Sequence, residues 1–257
     1  MLAVLATGRV EQIAWRFLRL IGLIAFALAC SVSVWVLAGR GMTEPSAATQ
    51  WSLRLGYALA AGAAIVVFLA PVAERTRGGF RLICSIAGIA GLAGGSLSSL
   101  AALGQHASGP LALGMVIASQ VLGGLLLGAI TVAWLLGHAY LTATKMTIGP
   151  LRHFSRLLSL SIAARIAFMV ISIGLAWHLS RGGPPSIVTR LEASWLILLL
   201  RVGVGLIAVA VFAYMVADCV RLRSTQSATG ILYFGSVFAL IGELACQQLI
   251  AECGWPV

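Results

Sequence analysis

The stretch WLLGHAYLTATKMTIGPLRHFSR, residues 134–156, lies between two apolar runs at 111–136 and 157–177. It contains the only lysine of the chain, Lys145, and two of its four histidines. Each flanking run has about the ~20 residues that an α-helix needs to cross the hydrocarbon core of a bilayer. The stretch is therefore predicted to be a polar loop at a membrane surface, between two membrane-spanning helices.

The composition extends this interpretation to the whole chain. Hydrophobic residues make up 60% of the 257 residues and charged residues only 9%, whereas soluble domains carry about 25% charged residues. The net charge of +10 would indicate nucleic acid in a soluble protein. Here the cations lie in short loops between apolar runs, so we expect contacts with membrane lipids and none with nucleic acid.

The apolar runs predict an all-α fold, a single transmembrane domain over residues 1–257 with no soluble domain. We expect a bundle of seven membrane-spanning helices in an inner (plasma) membrane. The predicted spans are 20–37, 53–70, 82–103, 111–136, 157–177, 193–216 and 229–250. The third span is rich in glycine and serine, which favours close packing inside the bundle.

Charge and tryptophan positions predict the orientation of the bundle. One alternating set of loops holds most of the cations, and positive loops usually face the cytoplasm. That set contains Arg9, Arg16, Arg19, Arg75, Arg77, Arg81, Lys145, Arg152, Arg156, Arg221 and Arg223. Five tryptophans fall at the opposite boundary, namely Trp35, Trp51, Trp177, Trp195 and Trp255. The amino end is therefore predicted to be cytoplasmic and the carboxyl end outside.

The loop at 134–156 is the first candidate site. The Gly149-Pro150 pair is predicted to turn the chain sharply and to bring His138 near His153. The resulting cationic surface would suit a quinone carbonyl, a lipid phosphate or an acidic patch on a partner subunit. The alternative is that these residues are only topology signals and lipid contacts. The proposed binding residues, called the loop set below, are His138, Tyr140, Lys145, Arg152 and His153.

The second candidate site lies inside the membrane. Arg165, Arg201 and Glu243 are ionisable residues deep within apolar runs, where an unpaired charge is costly. Arg201 follows Trp195 by six residues and Glu243 precedes Ile250 by seven, so both lie about 9–10 Å from the predicted outer boundary. The matching depths predict an ion pair between Arg201 and Glu243. It would either fix the sixth and seventh spans together or serve a proton or substrate path.

Haem and metal ions are not expected. His153 and His178 lie at opposite ends of the fifth predicted span, 25 residues or roughly 37 Å apart, so they cannot ligate one haem within the bilayer. Two pairs of boundary histidines leave a peripheral haem open. The five cysteines form no Cys-x-x-Cys pair, and their spacing with histidine does not suit zinc.

Part of the last span is similar to a known family. Gly242-Glu243-Leu244, followed by Gln247 and Leu249, resembles the closing helix of the membrane-anchor subunits of DMSO-reductase-type and polysulfide-reductase-type complexes. The run His138-Ala139-Tyr140 is similar to another stretch of that family. The resemblance implies a haem-free helical bundle that exchanges electrons between quinol and an iron–sulfur partner subunit, with no covalently bound cofactor.

Three functions follow from these observations. The first is a non-catalytic membrane subunit of a respiratory or electron-transfer assembly, with quinone or quinol bound near a membrane face. The second is a small transporter or permease that uses the Arg201–Glu243 pair. The third is a structural subunit with no ligand of its own.

Overall fold

The computed structural model describes residues 1–8, 15–37, 77–103, 110–142, 147–179 and 187–257, together with positions 54, 56–58, 61, 62 and 65. Every regular element within these residues is helical, which confirms the all-α expectation. In chain order the helices are α1 (Leu2–Ala6), α2 (Trp15–Leu37), α3 (Arg77–Leu103), α4 (Pro110–Thr142), α5 (Gly149–Leu179), α6 (Ile187–Ala193), α7 (Trp195–Arg221) and α8 (Thr225–Cys253).

Five helices in the described part of the chain are long and apolar enough to cross a membrane. They are α4, α5, α7, α8 and the apolar part of α3, Gly79–Leu97. The apolar part of α2, Phe17–Val32, is shorter. The predicted span at 53–70 lies largely outside the described residues. The chain is therefore a multi-pass membrane protein by the length and composition of its helices.

The centre of the bundle is formed by α4, which packs against both α5 and α8. Small and branched residues of α4, such as Ala129, Val132 and Leu136, are fully buried. Large apolar side chains on the outer faces, among them Leu160 of α5 and Leu244 of α8, are about two-thirds exposed. An apolar exterior of this kind is stable in lipid and not in water. The described fold thus exposes its apolar side chains to the bilayer.

The predicted turn at Gly149-Pro150 is wrong, because both residues belong to the first turn of α5. Proline is tolerated there, since the first backbone N–H groups of a helix have no partner within the helix. The hydroxyl of Tyr140 donates a hydrogen bond to the main-chain oxygen of Thr147. The end of α4 is therefore bonded to the chain just ahead of α5.

The first residues of the chain form α1, which is buried within the bundle. α1 packs against α3 and α4, and its Leu5 is fully buried. A Cβ on Gly88 of α3 would lie 2.5 Å from the main-chain nitrogen of Ala3, and a Cβ on Gly128 would lie 2.7 Å from that of Met1. Glycines of α3 and α4 therefore leave the space that α1 occupies.

The helix that carries Arg201 is irregular. α6 ends at Ala193, α7 begins at Trp195, and residues Leu200–Ala208 of α7 form a π-helix. Beyond Arg201, Gly205 approaches α8 so closely that a Cβ on it would lie 2.4 Å from the Cα of Gly242. π-Helical segments are rare and are often found at functional sites. The backbones of α7 and α8 therefore meet one helical turn from Arg201.

α8 ends at Cys253, and the following Gly254 adopts the left-handed conformation with φ 68°. Residues 255–257 then fold back onto the bundle, and Trp255 and Val257 are only 3% and 0% exposed. Trp255, which was predicted to lie at the outer boundary, therefore packs its indole against the protein and does not expose it. Trp177 and Trp195 are exposed at 60% and 62%, as an interfacial position requires.

Candidate functional site

Arg165 of α5 and Glu243 of α8 form a two-pronged ion pair in the interior. Nε of Arg165 donates to Oε1 of Glu243 at 3.1 Å, and Nη2 donates to Oε2 at 2.7 Å. Parallel bonds of this type are the strongest that a guanidinium makes to a carboxylate. The remaining nitrogen, Nη1, donates to both oxygens of Ser119 on α4, the main-chain oxygen at 3.0 Å and the hydroxyl at 2.9 Å.

Arg201 of α7 binds the same carboxylate from the other side. Its Nη1 donates to Oε1 of Glu243 at 3.1 Å, so the predicted contact between these two residues is present. Its Nε donates to the main-chain oxygen of Val257 at 3.2 Å. Its Nη2 is buried and has no hydrogen-bond partner in the described part of the chain. We call Arg165, Glu243 and Arg201 the Arg–Glu–Arg cluster.

All three members of the cluster are buried. Arg165 is 1% exposed, Arg201 0% and Glu243 5%. Arg165 lies 16 residues after the start of α5 and 14 before its end, so it is near the middle of the helix at about 21–24 Å from either end. A guanidinium at that depth is tolerated only when it is bonded within the protein. The pair with Glu243 and the contact with Phe168, whose ring centre is 5.7 Å from the Arg165 carbon Cζ, meet that need.

Helical spacing explains why these groups converge. Glu243, Cys246 and Gln247 are three and four residues apart and so share one face of α8. On α4, Ser119 and Gly123 are likewise four residues apart. A Cβ on Gly123 would lie 2.4 Å from Oε2 of Glu243, so the carboxylate occupies the space that a larger residue would fill.

A second polar layer adjoins the cluster. The side-chain amides of Gln120 on α4 and Gln247 on α8 donate to each other at 2.8 and 2.9 Å. Next to them, the sulfur of Cys246 lies 3.6 Å from the hydroxyl of Ser119 and 3.2 Å from Nη2 of Arg165. These bonds join α4, α5 and α8 and satisfy polar groups that would be costly to leave unbonded in lipid.

The 254–257 segment covers the Arg201 side of the cluster. The Trp255 indole N–H donates to the main-chain oxygen of Ser172 on α5 at 3.2 Å. The Ser172 hydroxyl in turn donates to the main-chain oxygen of Pro256. Ser172 lies seven residues after Arg165 and therefore on the same face of α5. These two bonds place the main-chain oxygen of Val257 against Arg201.

The charges of the three side chains do not balance. Two guanidinium groups, which stay protonated in proteins, face one carboxylate. The side chains of the cluster therefore carry one positive charge more than they neutralise, and one N–H group of Arg201 has no acceptor among the described residues. On the side away from Glu243, the Nε of Arg201 binds an oxygen of Val257.

The loop set is not assembled into one site. Within the described residues, no hydrogen bond joins any two of its members. Nε2 of His153 lies 3.2 Å from the Thr7 hydroxyl, next to α1. Tyr140 binds Thr147, His138 and Arg152 are exposed, and Lys145 lies outside the described residues. Arg81, read as a loop cation, donates from Nε to the main-chain oxygen of Ala6 at 3.1 Å. Arg81 and His153 thus contact the end of α1.

Sequence reasoning named Arg165 as deep but left it unpaired, and it missed Ser119, Gln120 and Cys246. One signal was available, because Ser119 and Gln120 are adjacent polar residues inside the most apolar stretch of α4. The contact of Val257 with Arg201 had no signal in the residue pattern, since it uses a main-chain atom.

Comparison of the chain with protein-family models, curated proteins and solved structures found no match. The function is therefore argued from the geometry of the site.

Proposed function

We propose that this protein is a multi-pass membrane transporter for a small anion, and that the Arg–Glu–Arg cluster is its binding site. The observation that carries this proposal is the burial of two guanidinium groups on one carboxylate within membrane-spanning helices, where Arg165 is 1% and Arg201 0% exposed. A guanidinium N–H away from water is costly when unbonded and favours an anionic acceptor.

The charge of the cluster supports an anion over a cation. A cation would meet two guanidinium groups within reach of one carboxylate whose oxygens already accept three N–H donors. An anion would instead compensate the second arginine. Ionisable residues inside a membrane typically mark a substrate or ion path, and the excess positive charge selects the sign of the substrate.

The irregularity of α7 supports movement at this place. Transporters commonly place substrates beside interrupted helices, whose freed backbone groups face a cavity instead of lipid. In the described chain, α7 is preceded by a break at Ser194 and contains the π-helical residues Leu200–Ala208 that bear Arg201. The helix that bears Arg201 is therefore the helix with the least regular backbone.

Transport is tested with the purified protein in liposomes on a solid-supported membrane, with acetate and chloride as probes. An inward gradient of either anion is expected to give a saturable current. Replacement Arg201→Gln, which keeps a hydrogen-bonding group and removes the charge, is expected to abolish it. The matched control is Arg221→Gln, because Arg221 is exposed at the end of α7 and pairs only with Asp218 at 2.8 Å.

A current that is absent from the wild-type protein, or equal in Arg201→Gln and in wild type, would refute the proposal. Loss of current in both Arg201→Gln and Arg221→Gln would indicate a general effect of surface charge and would also count against the cluster.

The finer topology belongs to this proposal. We propose seven spans in an inner membrane, with the amino end cytoplasmic and the carboxyl end outside. A cysteine placed at Ser108 or Gly183 should react with an impermeant reagent added to sealed cells, and one at Thr147 should not. Labelling at Thr147 alone would reverse the orientation.

A second candidate function is a subunit of a respiratory or electron-transfer assembly that binds a quinone. It is favoured by a cavity of about 270 Å³ between α1, α2, α3 and α4. The cavity is lined almost entirely by apolar residues, among them Leu28, Gly91, Leu92 and Leu125, with Tyr57 also at its wall. Such a cavity suits the isoprenoid chain of a quinone better than the loop set, whose members are not joined.

This candidate is tested by extracting and quantifying quinone from the purified protein. Gly91 lines the cavity and has open space beside it, so Gly91→Leu should fill the cavity and lower the bound quinone severalfold. Gly174→Leu is the control, because Gly174 also has open space but lies on the exposed face of α5. Equal quinone content in both variants would remove this candidate.

A further inference from the structure

A groove runs between α1 and α5 on the outside of the bundle. Both helices pack against α4, and they meet at one end of the groove, where Nε2 of His153 lies 3.2 Å from the Thr7 hydroxyl. At the same place a Cβ on Gly8 would lie 2.7 Å from the ring of Phe154. Beyond this contact the two helices leave a cavity of about 240 Å³ between them. The groove is therefore closed near the first turns of α5.

The walls of the groove are mostly apolar and open to lipid. On the α5 wall, Leu160 is 66% exposed. This wall extends from Leu157 to Ala164, about 10 Å along the helix, whereas half of the hydrocarbon core is about 15 Å thick. An apolar cavity of roughly 150 Å³ is large enough to bind benzene. The groove therefore has the length and the volume for a stretch of one acyl chain, and its floor on α4 consists of Leu122 and Leu125.

Two exposed arginines flank the closed end of the groove, one on each side. Arg156 of α5 precedes Leu160 by four residues, so it lies on the same face of the helix. On the α1 side, Nε of Arg81 donates to the main-chain oxygen of Ala6 at 3.1 Å, which places this side chain next to Thr7. The helices α1, α3, α4 and α5 contain no acidic residue. They therefore offer these guanidinium groups no carboxylate, and phosphate oxygens are suitable acceptors.

The depth of Arg156 fits a lipid headgroup. Arg156 precedes Arg165, near the middle of α5, by nine residues or about 14 Å. This distance is close to half the thickness of the hydrocarbon core, about 15 Å. The apolar walls of the groove then lie within one leaflet, and the two arginines lie at the level of its phosphates.

From this arrangement we propose that the groove binds one acyl chain of an anionic phospholipid, whose phosphate is held by Arg156 and Arg81. A zwitterionic lipid also carries a phosphate, but its ammonium group would lie near the same two cations, so a headgroup with net negative charge binds more tightly. Neither arginine belongs to the loop set. The inference is independent of the proposed transport, because the lining residues do not belong to the Arg–Glu–Arg cluster.

The headgroup preference is tested on the full chain in detergent by native mass spectrometry, with phosphatidylglycerol and phosphatidylcholine that carry the same acyl chains. The Kd for phosphatidylglycerol is expected to be about tenfold lower than that for phosphatidylcholine. Arg156→Gln should raise the Kd for phosphatidylglycerol about fivefold, which is the effect of one cation on an anionic lipid, and leave that for phosphatidylcholine within about twofold. Arg221→Gln is the matched control, because Arg221 is an exposed arginine on α7, away from the groove.

Occupation of the groove by an acyl chain is tested by filling it. Ala164→Phe places a ring in the groove and should raise the Kd for both lipids about tenfold. Ala163→Phe is the matched control, because Ala163 is also exposed on α5 but does not line the groove. Ser161→Leu is a second variant that fills the groove. Glycerol 3-phosphate, which has the phosphate and no acyl chain, should not displace the bound lipid when added in large excess.

Three results would overturn the lipid site. Equal Kd values for the two lipids in the wild-type protein would exclude recognition of an anionic headgroup. Equal effects of Ala164→Phe and Ala163→Phe would exclude binding of an acyl chain in the groove. Displacement of the lipid by glycerol 3-phosphate would show that the arginines bind a free phosphate and that the groove adds nothing. Thermal unfolding in detergent shows whether each variant is folded, and Ser161→Leu keeps the test valid when Ala164→Phe is not.

Discussion

The Arg–Glu–Arg cluster and the loop set differ in where their polar atoms find partners. In the cluster, side chains from α5, α7 and α8 are bonded to one another across the bundle. The described members of the loop set lie near helix ends, where His138 and Arg152 are exposed and Tyr140 and His153 contact Thr147 and Thr7. Away from water a polar group has no alternative to a protein partner, whereas at the boundary water and headgroups are available. Polar residues therefore define a site in the interior and need not do so at the surface.

The largest loss of stability is expected when the shared carboxylate of Glu243 is removed. Glu243→Gln leaves two buried guanidinium groups without a counter-charge, and such changes cost about 3–5 kcal/mol. Unfolding by SDS in mixed micelles should show a loss of that size. Asp218→Asn, which breaks the exposed Asp218–Arg221 pair, should cost only about 0–1 kcal/mol.

Because the cluster has three members, replacing Arg201 and Glu243 together does not remove every buried charge. Removal of Arg201 and Glu243 together leaves Arg165 without its carboxylate, so the smallest loss is expected only when all three residues are replaced by apolar ones. Equal losses for Glu243→Gln and Asp218→Asn would mean that water reaches the cluster.

The close approach of α7 and α8 gives the next largest effect. Gly205→Ala places a Cβ 2.4 Å from the Cα of Gly242, which is backbone and cannot rotate away, and overpacking of this kind costs about 1–3 kcal/mol. Gly203→Ala is the control, because a Cβ at Gly203 meets nothing within 4 Å. Both are measured by the same SDS titration. A Gly205→Ala protein as stable as Gly203→Ala would contradict the backbone contact.

The paired amides of Gln120 and Gln247 test whether polar groups between helices depend on each other for stability. Gln120→Leu or Gln247→Leu alone removes both amide–amide hydrogen bonds between α4 and α8, at a cost of about 0.5–1.5 kcal/mol, and the double replacement should cost little more than either single one. A double-mutant cycle on the unfolding free energy measures this coupling. Additive losses would mean that the amides find other partners, as surface groups do.

The smallest effect is expected at the boundary. Thr7→Val removes the hydroxyl that lies against His153 and that also donates to the Val4 main-chain oxygen, at a cost of about 0.5–1.5 kcal/mol. His138→Ala, at an exposed position, should stay within about 0.5 kcal/mol of wild type. If His138→Ala lowered the free energy of unfolding as much as Glu243→Gln, the loop set would stabilise the fold as strongly as the cluster, contrary to this comparison.

Sequence reasoning reached the helices and the Arg201–Glu243 contact for the same reason. A long apolar run is unfavourable in water and stable as a membrane helix, whereas a deep charge is unfavourable in lipid and needs an ionic partner. It did not predict Arg165 as the main partner of Glu243, because the depth of a Cα atom does not fix the position of the end of a long side chain. It also missed α1, since a helix of five residues leaves no periodic pattern, and the fold of residues 254–257, whose bonds use main-chain oxygens.

We expect α7 to tilt against α8, if it tilts at all, about the close contact of Gly205 with Gly242. Arg201 is four residues, about 6 Å, from this contact, and Glu243 is next to it. A swing of α7 by about 10° would move the Arg201 backbone by only about 1 Å, but would move Arg221, about 24 Å away, by about 4 Å. Such a tilt would displace the ends of the helices while the Arg201–Glu243 ion pair stays nearly in place.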